Sequence, residues 1–117
     1  MQYDLEPRTV AFSKSVILSI RQIHSNDINR NIISQLLRSA TSVGANYREA
    51  NGASSKKDFG NKIAICCKEI QETEYWLELL AAAEPTFIDS LRNLWKEAHE
   101  LTLIFNKIFS SLKQKNN

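Results

Sequence analysis

Apolar residues return along this chain every three or four positions, and the repeat breaks only at short polar interruptions. Phe12, Val16, Ile20 and Ile23 share one face of a cylinder, with Lys14 and Arg21 placed elsewhere on it. Pro7 suits the first turn of such a helix, because the amide it lacks would have no partner there. A first helix is therefore predicted over about residues 6–24. The polar run HSNDIN follows, and Ser25, Asn26 or Asp27 offers the side-chain oxygen needed to cap a second helix over about residues 27–49. Asn51-Gly52 is a stop signal, and Ser55-Lys-Lys-Asp58 has the Ser-x-x-acid spacing of a helix N-cap. The third helix, about residues 55–83, carries Phe59, Ile63, Cys66, Ile70, Thr73, Leu77 and Leu80 in one arc. Pro85 and a second such cap, Thr86-Phe-Ile-Asp89, open a fourth helix over about residues 87–114. Its stripe runs from Phe87 through Leu91, Leu94, Ala98, Leu101, Phe105 and Ile108 to Leu112. No stretch alternates with the period of two that a strand needs. Short links between long amphipathic helices predict an all-α, antiparallel up-down-up-down four-helix bundle, and 117 residues fit one domain, 1–117.

Two of these helices carry more apolar surface than one seam of a bundle uses. Ile28, Ile32, Ile33, Leu36, Leu37, Ala40, Val43, Gly44 and Tyr47 span about 180° of the second helix. On the third, Ile65, Tyr75, Trp76 and Leu79 fall on the side away from the Phe59–Leu80 stripe. Contiguous aromatic and aliphatic surface is what oligomer interfaces bury. Ile33, Leu37, Ile65, Tyr75, Trp76 and Leu79 are accordingly expected where copies of this chain meet. Gly44, inside the apolar arc, is read as a packing residue that lets a neighbouring helix approach closely.

The formal net charge of +2 conceals an asymmetry. Residues 1–68 hold ten Lys/Arg against five Asp/Glu, whereas residues 69–117 hold five against eight. Arg30, Arg38 and Arg48, interleaved with Ser34, Thr41 and Ala45, project within about 80° of each other on the second helix. Arginine's planar fork suits phosphate and small neighbours admit a backbone, so this ridge is a candidate nucleic-acid contact. The competing reading has these arginines solvated, or paired with the glutamate-rich Glu69–Glu84 surface of a neighbouring subunit. Arg48, Lys56 and Lys57 also gather near the free amides that open the third helix, a candidate anion site.

Catalytic chemistry finds little here. A di-metal bundle site needs Glu-x-x-His, yet Arg21 stands three residues before His24 and Lys96 three before His99. Glu69 and Glu72 form an i, i+3 carboxylate pair suited to salt bridges. Cys66 and Cys67 are adjacent, without metal-ligand or disulfide spacing, and read as buried or half-buried thiols, which suits a reducing compartment. No Gly-x-Ser-x-Gly or phosphate-binding glycine loop occurs. No enzyme activity, metal or cofactor is expected. MQYDLEPRTV has no leader pattern and no apolar stretch approaches the roughly 18 residues of a bilayer span, which favours a cytoplasmic protein with no membrane contact.

SVGANYREA, ASSKKDF, Lys62, Lys68-Glu69 and ETEYWLELL together resemble the four-helix bundle family encoded in intervening sequences of bacterial large-subunit ribosomal RNA genes. The resemblance covers nearly the whole chain and is strongest over Ser42–Leu80. It implies a small all-α bundle that assembles as a closed homopentamer, with a biochemical role largely undefined. The family is similar in turn to the accessory variability determinant of diversity-generating retroelements, a basic pentameric bundle that works with a reverse transcriptase and its RNA. That likeness implies RNA or a ribonucleoprotein as a partner.

Overall fold

The computed structural model describes residues 4–115. Its four helices are α1 (Leu5–Ile20), α2 (Arg30–Asn51), α3 (Lys56–Ala83) and α4 (Ile88–Lys115), with a 3-10 turn, Pro85–Phe87, leading into α4. No strand occurs among the described residues. Each helix packs on the next, and α1 also touches α4. Between α1 and α2 the contacts pair Glu6 with Asn51, Thr9 with Gly44 and Ser13 with Ala40. Between α2 and α3 they pair Glu49 with Lys62, Val43 with Cys66 and Ser39 with Thr73. Between α3 and α4 they pair Glu78 with Trp95 and Glu74 with Thr102. One partner's number rises as the other's falls in every series, so consecutive helices run antiparallel.

The helical stripes supply the core. Val16, Leu36, Val43, Ile63, Ile70, Leu80, Leu101 and Phe105 are wholly shielded from solvent. Tyr47 and Phe105 meet edge to face, with ring centroids 5.5 Å apart. Arg8 ties α1 to α4 through Nε and Nη2 hydrogen bonds of 2.7 and 2.9 Å to Glu97 and a third of 2.8 Å to Glu100.

Helix ends depart from expectation where tertiary contacts take over. α1 stops at Ile20, where the amides of Gln22 and Ile23 donate three residues back to the carbonyls of Ser19 and Ile20 at 3.2 and 3.1 Å, and two asparagines organise the turn that follows. Asn26 Oδ1 accepts from the amides of Ile28 and Asn29, each at 2.9 Å, which singles it out from the three expected caps. Asn29 is wholly buried and its Nδ2 donates to the His24 carbonyl at 3.1 Å and to Glu84 at 3.0 Å. α2 proper then begins at Arg30 rather than Asp27. The Ser55 cap is present, its Oγ accepting from the Asp58 amide at 3.0 Å. Thr86 instead sits inside the 3-10 turn, where the Glu84 carbonyl accepts from the Phe87 amide at 3.0 Å, and α4 starts at Ile88.

Gly44 marks the tightest approach of α1 to α2: a Cβ there would lie 3.2 Å from Thr9 Oγ1 and 3.3 Å from Thr9 Cβ. Gly52 is different, with φ of −97° and room for a Cβ, which would meet the Glu49 and Arg48 carbonyl oxygens at an ordinary 3.8 and 3.9 Å. The helix stops there without using glycine's left-handed freedom. Gly44→Val should therefore destabilise the fold by about 1–3 kcal/mol through overpacking. Gly52→Ala should be neutral or stabilise it by up to about 1 kcal/mol. Urea melts of the two variants check both, and an undisturbed Gly44→Val protein would mean that α1 and α2 are not held this close.

Candidate nucleic-acid interface

The arginine ridge does not act as a unit. Arg30, Arg38 and Arg48 follow one another at eight and ten residues, about 12 and 15 Å along the axis at 1.5 Å per residue. Arg38 is drawn into the α2–α3 seam: Nη1 donates to Glu69 at 3.1 Å, Nη2 donates to Glu72, and Nε donates to Gln35 at 3.1 Å. Antiparallel packing sets the i, i+3 carboxylate pair of α3 opposite this one residue of α2. The Glu69 side chain is only 12 % exposed, and a carboxylate so placed needs a cation. Partial desolvation works against the Arg38 charge, but Glu69 and then Glu72 outweigh it and hold the guanidinium above its ordinary pKa. The pairing anticipated between subunits is thus made within the chain. Arg30 pairs locally with Asp27 at 3.0 Å, with both side chains exposed. Arg48 lies 3.6 Å from Glu6 and stays 68 % exposed.

A basic groove forms elsewhere. Lys14 and Arg48 border a cleft of about 450 Å³ between α1 and α2, where Val10, Ser13, Thr41, Gly44, Ala45 and one carboxylate, Glu49, also line it. Lys14 was not among the residues expected from sequence. Its position off the apolar stripe of α1 was the available signal, but only the Thr9–Gly44 contact fixes the rotation that brings it to Arg48. Lys56 and Lys57 are exposed on the first turn of α3, at the same end of the bundle, and enter no described ion pair. Lys62, further along, closes onto Glu49 at 2.7 Å.

The six expected interface residues divide between two helices. Ile33 and Leu37 continue the row of Ala40 and Gly44 that faces α1, whereas Ile65, Tyr75, Trp76 and Leu79 belong to α3. Ile33 and Trp76 pack against the core, and the Trp76 indole donates to Glu72 at 3.2 Å. Tyr75 stands edge-on to Trp76 at 5.0 Å and is 54 % exposed; Leu37 and Ile65 are also exposed, and Leu79 is half-buried. The wide apolar arc of α2 has a use inside one chain, because this helix packs against α1 and α3 at once.

The sequence pattern of the 23S rRNA-intervening sequence protein family matches residues 4–107. The chain belongs to this family. Its bundle is similar to the crystal structure of a protein of unknown function from the S23 ribosomal protein family of Bacteroides thetaiotaomicron. The two share 33% identity over 89% of this chain and 96% of that one, with a TM-score of 0.75. No curated protein matches the chain.

Two further features bear on what this 23S rRNA-intervening sequence protein can do chemically. No helix is long and apolar enough to cross a membrane, and no cluster of three metal-ligating side chains occurs among the described residues. Cys66 and Cys67 are free and buried, and burial, with Cys67 alongside, pushes the Cys66 thiol up to about 12. Burial raises Cys67 as well. At pH 8 both thiols are protonated and shielded, so iodoacetamide should leave them intact in the native protein and alkylate both in urea. Mass spectrometry reads the difference, and rapid native labelling would contradict the burial. Arg38→Ala should cost about 1–3 kcal/mol in a urea melt by stranding Glu69, and adding Glu69→Gln should recover part of that cost. An Arg38→Ala variant as stable as the parent would remove the seam role.

Proposed function

We propose that this protein is a non-enzymatic, cytoplasmic homo-oligomer that binds RNA, free or within a ribonucleoprotein. Contact with the phosphate backbone is made by the basic end of the bundle. The observation that carries this reading is the placement of Lys14 and Arg48 on one cleft with Ser13, Gly44 and Ala45 between them, together with Lys56 and Lys57 exposed on the first turn of α3. Glu49 on the rim is already paired with Lys62, and cations beside mostly small side chains suit a polyanion that presents phosphates rather than base edges, so binding is largely independent of sequence. The intervening-sequence family description and the ribosomal-protein family of the structural neighbour support an RNA context. The family resemblance supports five copies, and a ring repeats a weak site into usable avidity. Arg38 is left out of the contact set because the seam occupies it.

Titrating a structured RNA by fluorescence anisotropy across a salt series tests the proposal. Affinity should fall steeply with salt, and Lys14→Ala/Arg48→Ala should weaken it and reduce the slope of log K against log salt by about 1 for each phosphate no longer neutralised. Lys56→Ala/Lys57→Ala should act in the same direction. Parent-like binding by both double variants would refute the basic-end assignment. Sedimentation at micromolar concentration reports assembly. An oligomer that shows no salt-dependent RNA binding would replace the proposal with a protein-interaction scaffold.

A further inference from the structure

At the end of the bundle remote from the basic groove, the last turns of α3 and the first turns of α4 leave an open cleft of about 360 Å³. Leu77 and Ala81 of α3 and Ile88, Leu91 and Trp95 of α4 make its apolar lining. Clefts of this size and character between bundle helices are where small ligands are held.

Trp95 is set in place before any ligand arrives. Its indole N–H donates to Glu78 at 3.3 Å, and its ring stacks on His99 with centroids 4.9 Å apart and planes within 6°. His99 Nδ1 lies 3.4 Å from Glu74, which also accepts from the Thr102 hydroxyl, so the stack is anchored to α3. A wall that needs no ordering on binding lowers the cost of association. The remaining lining groups are Glu78, Arg92 and Lys96. Glu78 is engaged by the indole, whereas Arg92 and Lys96 sit one helical turn apart, both exposed and in no ion pair among the described residues. The cations of the helix seams, Arg8, Arg38 and Lys62, are all paired.

We infer that this cleft binds a small amphipathic anion, its aliphatic or aromatic body against Trp95, Ile88 and Leu91 and its acid group between Arg92 and Lys96. The apolar lining supplies affinity and the two cations supply the preference for negative charge. The site is independent of RNA binding at the other end of the bundle.

The probe is 1-anilinonaphthalene-8-sulfonate added to the full chain, with fluorescence enhancement as the readout. Binding should saturate; decanoate should displace the probe, and decylamine, of the same chain length and opposite charge, should not. Arg92→Ala/Lys96→Ala changes only exposed side chains and should weaken decanoate by about tenfold or more, the weight of one or two charge-assisted hydrogen bonds. Ala81→Phe should fill the cleft and abolish the signal; where that variant fails to fold, the Arg92/Lys96 pair decides. Lys14→Ala/Arg48→Ala should bind the probe like the parent. An absence of saturable binding, equal displacement by decylamine, or parent-like decanoate affinity in the Arg92→Ala/Lys96→Ala protein would each overturn the assignment.

Discussion

Glu69 is a carboxylate in a helix seam, and the register of the bundle follows from the need to satisfy it. α3 has to pack on α2 and α4 together, so residues on both flanks of its apolar stripe are taken out of water. On the flank toward α2 these include Glu69 and Thr73. Thr73 is answered by Ser39, at 3.0 Å between hydroxyl oxygens, and by the Glu69 carbonyl at 2.8 Å. Glu69 requires a cation, and Arg38 is the residue of α2 that meets it. One helical turn to either side of Arg38 stand Ser34 and Ser42, which carry no charge. A slip of α2 by a turn would therefore strand the carboxylate, at a cost larger than any single apolar contact in the seam. Apolar stripes alone would tolerate neighbouring registers more readily; the ion pair selects among them.

The same logic separates two kinds of basic side chain in the bundle. Arg8, Arg38 and Lys62 each join two helices through carboxylates at hydrogen-bond distance, and in each case those carboxylates or hydrogen bonds hold the cation above its usual pKa. Lys14, Lys56, Lys57, Arg92 and Lys96 enter no described ion pair; Lys56 and Lys57 open α3, Arg92 and Lys96 lie in the first turns of α4, and Lys14 borders the α1–α2 cleft. Net charge is a poor guide to such a molecule, because +2 sums cations that the fold has neutralised with cations it has left alone. The position of the unpaired ones carries the information.

How far the sequence reveals this depends on the range of each interaction. The four helices, the Ser55 cap and the close approach at Gly44 are legible because a period of 3.6, a side-chain oxygen and a missing Cβ act within a turn or two. The start of α2 is not, since the turn before it holds Asn29, which reaches Glu84, 55 residues away. The wide apolar arc of α2 is visible in its extent but not in its use: the pattern cannot separate a second seam inside the chain from a surface between chains. Arg38 looks like a member of a ridge for the same reason, because its partners lie on another helix. Lys14 joining Arg48 and Trp95 stacking on His99 depend on rotations of α1 and α4 about their axes, which only tertiary packing sets.

The 33% identity shared with the S23-family structure sits on a common scaffold, and a scaffold of this kind constrains its seams far more than its ends. Seam positions answer to close packing and to stranded charge, each costly to violate. An exposed lysine at the start of α3 or an exposed arginine at the start of α4 answers to neither, and replacing one changes stability little. Variation at such positions is filtered by what the protein touches rather than by how it folds. Each half of this bundle has a cleft bordered by two cations, Lys14 and Arg48 beside small residues in one and Arg92 and Lys96 beside a fixed indole in the other. Chemically unlike clefts toward opposite ends of one bundle share no lining residue, and the antiparallel packing of α2, α3 and α4 is what keeps them apart.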